Sequence, residues 1–265
     1  MKTITYKHSV NLGDLYSLLP SLKQIHATYG LKADMYQRLN MKGEYYQGAT
    51  HPTTSNGSQV TMNQKMFDMA KPLIKFQPYV HDFKVWEGEE VKINFDDMRS
   101  KFINLPMGSI NRWSFYCFPD MACDLTKKWL EVPNAIDERT QDKIIINFTE
   151  RYRNNLITYF FLKEYESELV FTGTKHEHEL FCEEWKLDIP YLEVENFLEL
   201  AIAINSCAFF LGNQSSAFQL AEGLKKPRIV ELCSFAPNVI PFGEHGYDFY
   251  HQGGVEFYVK KLSKL

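Results

Sequence analysis

The hydrophobic and polar positions fall into two regimes that change near residue 130. In the first, Thr3-Ile4-Thr5-Tyr6 is short and β-prone, and Leu15, Leu18, Leu22, Ile25 and Tyr29 then recur at three- and four-residue spacing. That spacing predicts a helix with one apolar stripe, stopped at Gly30 and kinked at Pro20, which has no amide to donate back to Tyr16. Residues 42–63 are rich in Gly, Thr, Ser and Asn and read as loop. A helix is expected over 64–71 and a strand over 79–86. Residues 87–128 hold Trp113, Phe115, Tyr116 and Phe118 without a period, and they predict no definite element.

The second regime is regular. The Ile-Ile-Ile run in 143–148 suits a buried parallel strand. A helix over 155–165, a strand over 168–172, a turn at Gly173 and a helix over 175–186 follow. A short strand at 191–193, a helix over 196–205, a strand over 208–211, a helix over 216–224 and a strand over 228–232 complete the series. Alternating strand and helix predicts an α/β protein with parallel sheets and helices on both faces. Ligands of such sheets bind beyond the carboxyl ends of the strands. Pro133 and the charged run 137–143 read as a connector, so two halves should meet near 127–142 and enclose one cleft.

Composition narrows this little. A chain of 265 residues makes one large domain or two modest ones. Its most apolar stretch, 197–211, is broken by Glu199, Asn205 and Ser206 and is too short to span a bilayer. The opening has no basic segment followed by an apolar one, and the five cysteines form no Cys-x-x-Cys pair. Both points predict a cytoplasmic protein with reduced thiols. A net charge of −4 gives no general attraction to nucleic acid or anionic membrane.

Two segments carry chemistry. In the first, Gly212-Asn213-Gln214-Ser215-Ser216 breaks an apolar strand, and Ser216 with Gln219 fits a capping box at the next helix. A helix start presents unpaired amides and a positive dipole end, which suits a phosphate; a well-capped βα turn without a ligand has the same composition. In the second, Gly13 allows a sharp turn after the first strand and Asp14 lies at or beside a helix start. Asp14 is either an N-cap or a carboxylate at the cleft mouth that takes a proton from a hydroxyl.

Together these segments resemble the heptosyltransferase-like glycosyltransferases, glycosyltransferase family nine, in which a Gly-Asp pair follows the first strand with a Pro soon after. Gly13, Asp14 and Pro20 match that pattern, and Gly212 to Ser216, Leu220-Ala221, Pro227 and Ile229-Val230 match the family's small-polar loop, helix, Pro and apolar strand. Asn213-Gln214-Ser215 stands where the family usually has Asp-(Ser/Thr)-Gly. The resemblance implies two Rossmann-like lobes of the GT-B type: 1–130 on the acceptor side and 131–265 binding the nucleotide sugar. It also implies inverting, metal-independent transfer from a nucleotide-diphosphate sugar to a glycan or lipid-linked envelope acceptor, with no cofactor. Asp14 would be the base. Gly13, Gly212, Asn213, Gln214, Ser215 and Ser216 would surround the donor phosphates, Arg151 and Arg153 would reach in after strand 143–148, and Gly173 and Glu193 would border the nucleotide.

Other signals point away from rival classes. No Asp-x-Asp pair occurs, and no Gly-x-Gly-x-x-Gly, Walker or Gly-x-Ser-x-Gly motif is present. His176 and His178 lie two apart on a helix and so point to different faces, unlike metal ligands. The alternatives left open are a non-catalytic nucleotide-sugar or glycan-binding module with a degenerate site, and a glycosyltransferase acting on a modified nucleic-acid base.

Overall fold

The computed structural model describes residues 2–43, 53–100 and 108–265. Residues 44–52 of the expected 42–63 loop, and 101–107 of the unassigned segment, lie outside the described residues. The first half contains β1 (Thr3–His8), α1 (Leu12–Tyr29), β2 (Lys32–Gln37), the small hairpin β3 (Thr54–Ser55) and β4 (Ser58–Gln59), α2 (Gln64–Phe76), β5 (Val80–Val85), β6 (Ile93–Asn94), α3 (Asp97–Ser100) and α4 (Trp113–Cys117). The second half contains β7 (Ile144–Asn147), a 3-10 helix (Phe160–Glu168), β8 (Leu169–Phe171), α5 (Lys175–Trp185), α6 (Phe197–Ser206), β9 (Phe209–Asn213), α7 (Ser216–Leu224), β10 (Arg228–Glu231), β11 (Gly246–Phe249) and α8 (Gln252–Leu262).

These elements make two parallel sheets, ordered β5-β2-β1-β6 and β11-β10-β9-β7-β8. In the second sheet β7, β8, β9 and β10 are buried on both faces, and only the edge strand β11 is half-buried. Ile145, Phe210 and Val230 point into one apolar cluster, while Ile144, Ile146, Leu211 and Ile229 point into another. Phe181 of α5 and Val255 of α8 fill the latter. In the first sheet burial alternates. Tyr6, Ala33, Met35 and Phe83 are buried, and the residues between them are only half-buried. The expectation of helices on both faces therefore fails for the first sheet. The reason is topological: α1 and α2 both cross in the same strand-order direction, so right-handed connections put them on one face. That face shares a single core with α6 and α7 of the second half.

Several local expectations are corrected. The helix α2 runs past its expected end at 71, through Pro72 to Phe76. Gly30 does end α1, at φ 67°, with its amide donating to the His26 carbonyl. No α-helix forms over 155–165; its place is taken by the 3-10 helix. The strand expected at 191–193 is a single bridge between Tyr191 and Phe171.

Candidate functional site

Each sheet has one point where strand order reverses, and such switch points open a crevice at the strand carboxyl ends. In the first sheet the reversal lies between β1, β2 on one side and β6 on the other, so the chain leaving β1 and the chain leaving β6 converge. The β1 exit leads to Asp14 and the β6 exit to Arg99. Asp14 is 3% exposed, and its Oδ1 accepts from Arg99 Nη2 at 2.5 Å. Its Oδ2 is buried without a hydrogen-bond partner. The Arg99 guanidinium lies 4.9 Å from the Trp113 ring centre, a cation–π contact that fixes it from the far side. Asp96 ties the two exits together by accepting from the Ser9 amide, the Ser9 hydroxyl and Lys7 Nζ.

This geometry corrects the reading of Gly13 and Asp14. Asn11 holds the N-cap position, so Gly13 and Asp14 are the second and third residues of α1. Gly13 makes no sharp turn, and Asp14 is not the cap. A carboxylate in the first helical turn still complements the helix dipole.

In the second sheet the reversal lies beside β7, between β8 and β9. Ser215, rather than Ser216, caps α7: its Oγ accepts from the Phe218 amide and donates to Asn147 Oδ1 at 2.7 Å. Gln219 is not part of a capping box. It makes a reciprocal amide pair with Asn111, at 3.2 and 3.3 Å, which bolts α7 to the first half. Gln214 donates to the Ala236 carbonyl and accepts from the Cys233 amide, which holds the loop after β10.

A cavity of about 630 Å³ lies between the two switch points. Gly13, Asp14, Arg151, Gly173, Glu193, Gln214, Ser215 and Ser216 all line it. A Cβ built on Gly13 would lie 3.8 Å from Ser216 Cα, so the starts of α1 and α7 touch. Gly173 must be glycine, since its φ of +146° strains any side chain and Asn147, Glu177 and Phe171 crowd the Cβ position.

Three expected residues do not reach the cavity. Asn213 is spent on scaffolding: Oδ1 accepts from the Thr149 amide and Nδ2 donates to the Thr149 and Arg151 carbonyls. A Cβ on Gly212 would overlap the Asn147 carbonyl oxygen, so this glycine serves the close approach of β9 to β7. Arg153 turns away to the buried carboxylate of Glu231, at 3.3 Å, and stacks on Phe148 and Tyr159. Burial pushes the Glu231 carboxyl up, and the arginine opposes that.

Sequence reasoning missed Arg99, Trp113 and Tyr152. The first two fall in the aperiodic segment. Tyr152 holds φ 54°, a costly conformation for an aromatic residue, and lines the cavity beside Arg151. Burial raises its phenol above the ordinary value. The walls are otherwise apolar, with Met62, Met66, Met69 and Phe197, and Lys65 joins Arg99 and Arg151 as the lining cations. Among the described residues no three His, Cys, Asp or Glu side chains converge in a way that could hold a metal ion. Among the same residues no helix is long and apolar enough to cross a membrane.

Two parallel α/β sheets, each with its own switch point, make a GT-B-like architecture. Comparison with solved structures agrees. The chain superposes over its full length on a glycosyl transferase family 9 protein from Veillonella parvula, with TM-score 0.58, 12% identity and 90% of that chain covered. The ADP-heptose lps heptosyltransferase II of E. coli gives TM-score 0.59 at 13% identity, covering 100% of this chain and 99% of that one. An E. coli heptosyltransferase solved with ADP-2-deoxy-2-fluoro heptose gives TM-score 0.54 at 10% identity, covering 98% and 99%. The fold is thus that of the heptosyltransferase-like glycosyltransferases. No family model matches the sequence, and no curated protein matches it.

Proposed function

We propose that this chain transfers a sugar from a nucleotide-diphosphate donor to a hydroxyl of a glycan or lipid-linked envelope acceptor, with inversion and without a metal ion. One observation carries the reading: Asp14, with an unpartnered buried carboxylate oxygen, lines the same cavity as the start of α7. The acceptor hydroxyl gives its proton to Asp14 as its oxygen bonds to the anomeric carbon. The bond to the diphosphate oxygen breaks, and the nucleoside diphosphate leaves with the electron pair. Charge grows on that leaving group, and the amides of Ser216 and Ala217, which have no partner within α7, are placed to receive it. Arg151 adds a planar fork that grips two oxygens. The neighbour solved with an ADP-heptose analogue supports this assignment of the donor class.

The test is calorimetry of nucleoside diphosphates with chelator present, after a thermal-shift screen of nucleotide sugars. Binding should be little changed by chelator. Arg151→Ala should weaken the diphosphate by roughly ten- to hundredfold, the value of a charge-assisted contact, and leave the free nucleoside unaffected. Loss of all binding in chelator would overturn the metal-free reading.

The Arg99–Asp14 ion pair favours a second reading, a module that binds the donor and transfers nothing, because the carboxylate is already engaged on one side. Release of nucleoside diphosphate in the presence of an acceptor separates the two.

A further inference from the structure

Asp14 is closed to a substrate as it stands. Its Oδ1 accepts from Arg99 Nη2 at 2.5 Å, and its Oδ2 is buried. A hydroxyl in the cavity reaches neither oxygen until the carboxylate turns, and the bond to Arg99 opposes that turn. The two partners are unequally held. The Asp14 side chain is 4% exposed and the Arg99 side chain 32%. Arg99 belongs to α3, a single turn whose Met98 is buried in the core, so its backbone is anchored and its long side chain is the part that can move. The Trp113 ring, 4.9 Å from the guanidinium, allows such movement. A cation–π contact has no fixed donor–acceptor line, so the guanidinium can leave the carboxylate and stay against the ring.

An anion would draw it away, and the helix starts fix where that anion stands. A Cβ built on Gly13 would lie 3.9 Å from the Ser216 amide nitrogen, one of the two assigned to the donor diphosphate. A phosphate on that amide is one residue from Asp14. Beside a lone carboxylate it would be repelled; beside Arg99 it meets a fork matched to two of its oxygens. A diphosphate carries more charge than a carboxylate and presents more oxygens, so it wins the guanidinium once bound. Arg99 then faces it from the first half as Arg151 does from the second, and both line the one cavity.

We infer that Arg99 is a donor-binding residue held in reserve on the catalytic base. Without donor it pairs with Asp14 and shuts the carboxylate away from an acceptor. The incoming diphosphate takes the guanidinium, and Asp14 is released to turn toward the acceptor hydroxyl. No covalent bond changes in this exchange. Its consequence is order: the donor must enter before an acceptor can lose its proton, so the base never acts on a hydroxyl with no donor beside it. The inference rests on the sugar-transfer reading for the diphosphate.

The test is a double-mutant cycle on nucleoside-diphosphate affinity. Calorimetry on the full chain with ADP, GDP, UDP and CDP selects the tightest, which is carried through the variants. Arg99→Met should weaken it roughly tenfold and leave the free nucleoside unaffected. Arg99→Lys, which keeps the charge and loses the fork, should fall between Met and wild type. Asp14→Ala leaves Arg99 no acceptor, so the diphosphate should bind roughly three- to tenfold more tightly than to wild type. In the combined Asp14→Ala, Arg99→Met variant that gain should vanish and the Kd should match Arg99→Met. A gain that survives in the combined variant is the field of the carboxylate alone and would refute the exchange. An unchanged or weaker Kd in Asp14→Ala would refute it too, since Arg99 would then serve the phosphates from its place on Asp14 or not at all. If wild type binds none of the four diphosphates, the sugar-transfer reading falls and takes the exchange with it. If wild type binds and the two substitutions act additively, the exchange alone falls.

Discussion

Asp14→Asn should remove nearly all sugar transfer and leave the fold in place. Asparagine keeps an oxygen for Arg99 but cannot take a proton, and a positioned general base contributes about 10²–10⁴ in rate. The protein should melt only somewhat below wild type, since Asp14 does not cap α1, a first-turn charge contributes only about 0.3–1 kcal/mol, and its ion-pair partner Arg99, whose side chain is 32% exposed, keeps the asparagine oxygen as an acceptor. Donor affinity should persist, because the diphosphate is assigned to the α7 start in the other half. Transfer rate, melting temperature and donor Kd on the one variant check all three points. Transfer by Asp14→Asn near the wild-type rate would end the catalytic assignment.

Glu222→Gln should destabilise the protein strongly. Glu222 is fully buried in the last turn of α7, where it accepts from Arg228 Nε, from Lys225 Nζ at 2.5 Å and from the Phe242 amide at 3.1 Å. Arg228 is equally buried and also donates to the Lys226 carbonyl. The variant therefore loses charge compensation more than hydrogen bonds. Removing one partner of a buried pair costs about 3–5 kcal/mol, roughly 6–20 °C in Tm for a chain of this size. Its pH dependence identifies the cause. Burial holds Lys225 down at about 8, and Glu222 is the main group raising it. Below pH 8 the folded and unfolded states both carry that proton. Between 8 and the ordinary lysine value the unfolded state binds more protons, so stability gained from this group rises with pH. Without Glu222 the folded value falls further and the rise begins earlier, so the deficit should narrow between pH 7 and pH 9. Denaturant midpoints at the two pH values measure it, and a deficit that stays constant would contradict this account.

The parallel α/β character of the second half was legible because a strand buried on both faces is an unbroken apolar run, as in Ile144–Asn147. The turn at Gly212 to Ser216 was legible for a similar reason, since an apolar strand followed by small polar residues has few other structures. The roles within it were not. Asn213 and Ser216 have the same composition signal, and only the positions of Thr149 and Arg151 show that Asn213 faces inward as a brace. Arg153 was assigned to the ligand on its proximity to a strand end, but Glu231, 78 residues on, claims it. Arg99 could not be found from periodicity, because α3 is a single turn whose place is set by Asp96 and the Ser9 loop. The strand β2 and the terminal β11 and α8 were also missed. Alternating polar residues in β2, such as Lys32, Asp34 and Tyr36, reflect a half-open sheet face, so the strand lacks the unbroken apolar run that marked those of the second half.

The placement of apolar clusters makes the two halves unequal partners in folding. The second sheet keeps an interior of its own on the face covered by α5 and α8. Among the described residues the first sheet has none apart from the core it shares with α6 and α7. Loss of the second half would strip the first of its cover, whereas loss of the first would leave the second with half its interior intact. Any partly folded species should therefore be built on residues 144–262, with β1, α1 and β2 the last to order and the first to melt. The cavity, which takes one wall from each half, exists only when that final docking is complete.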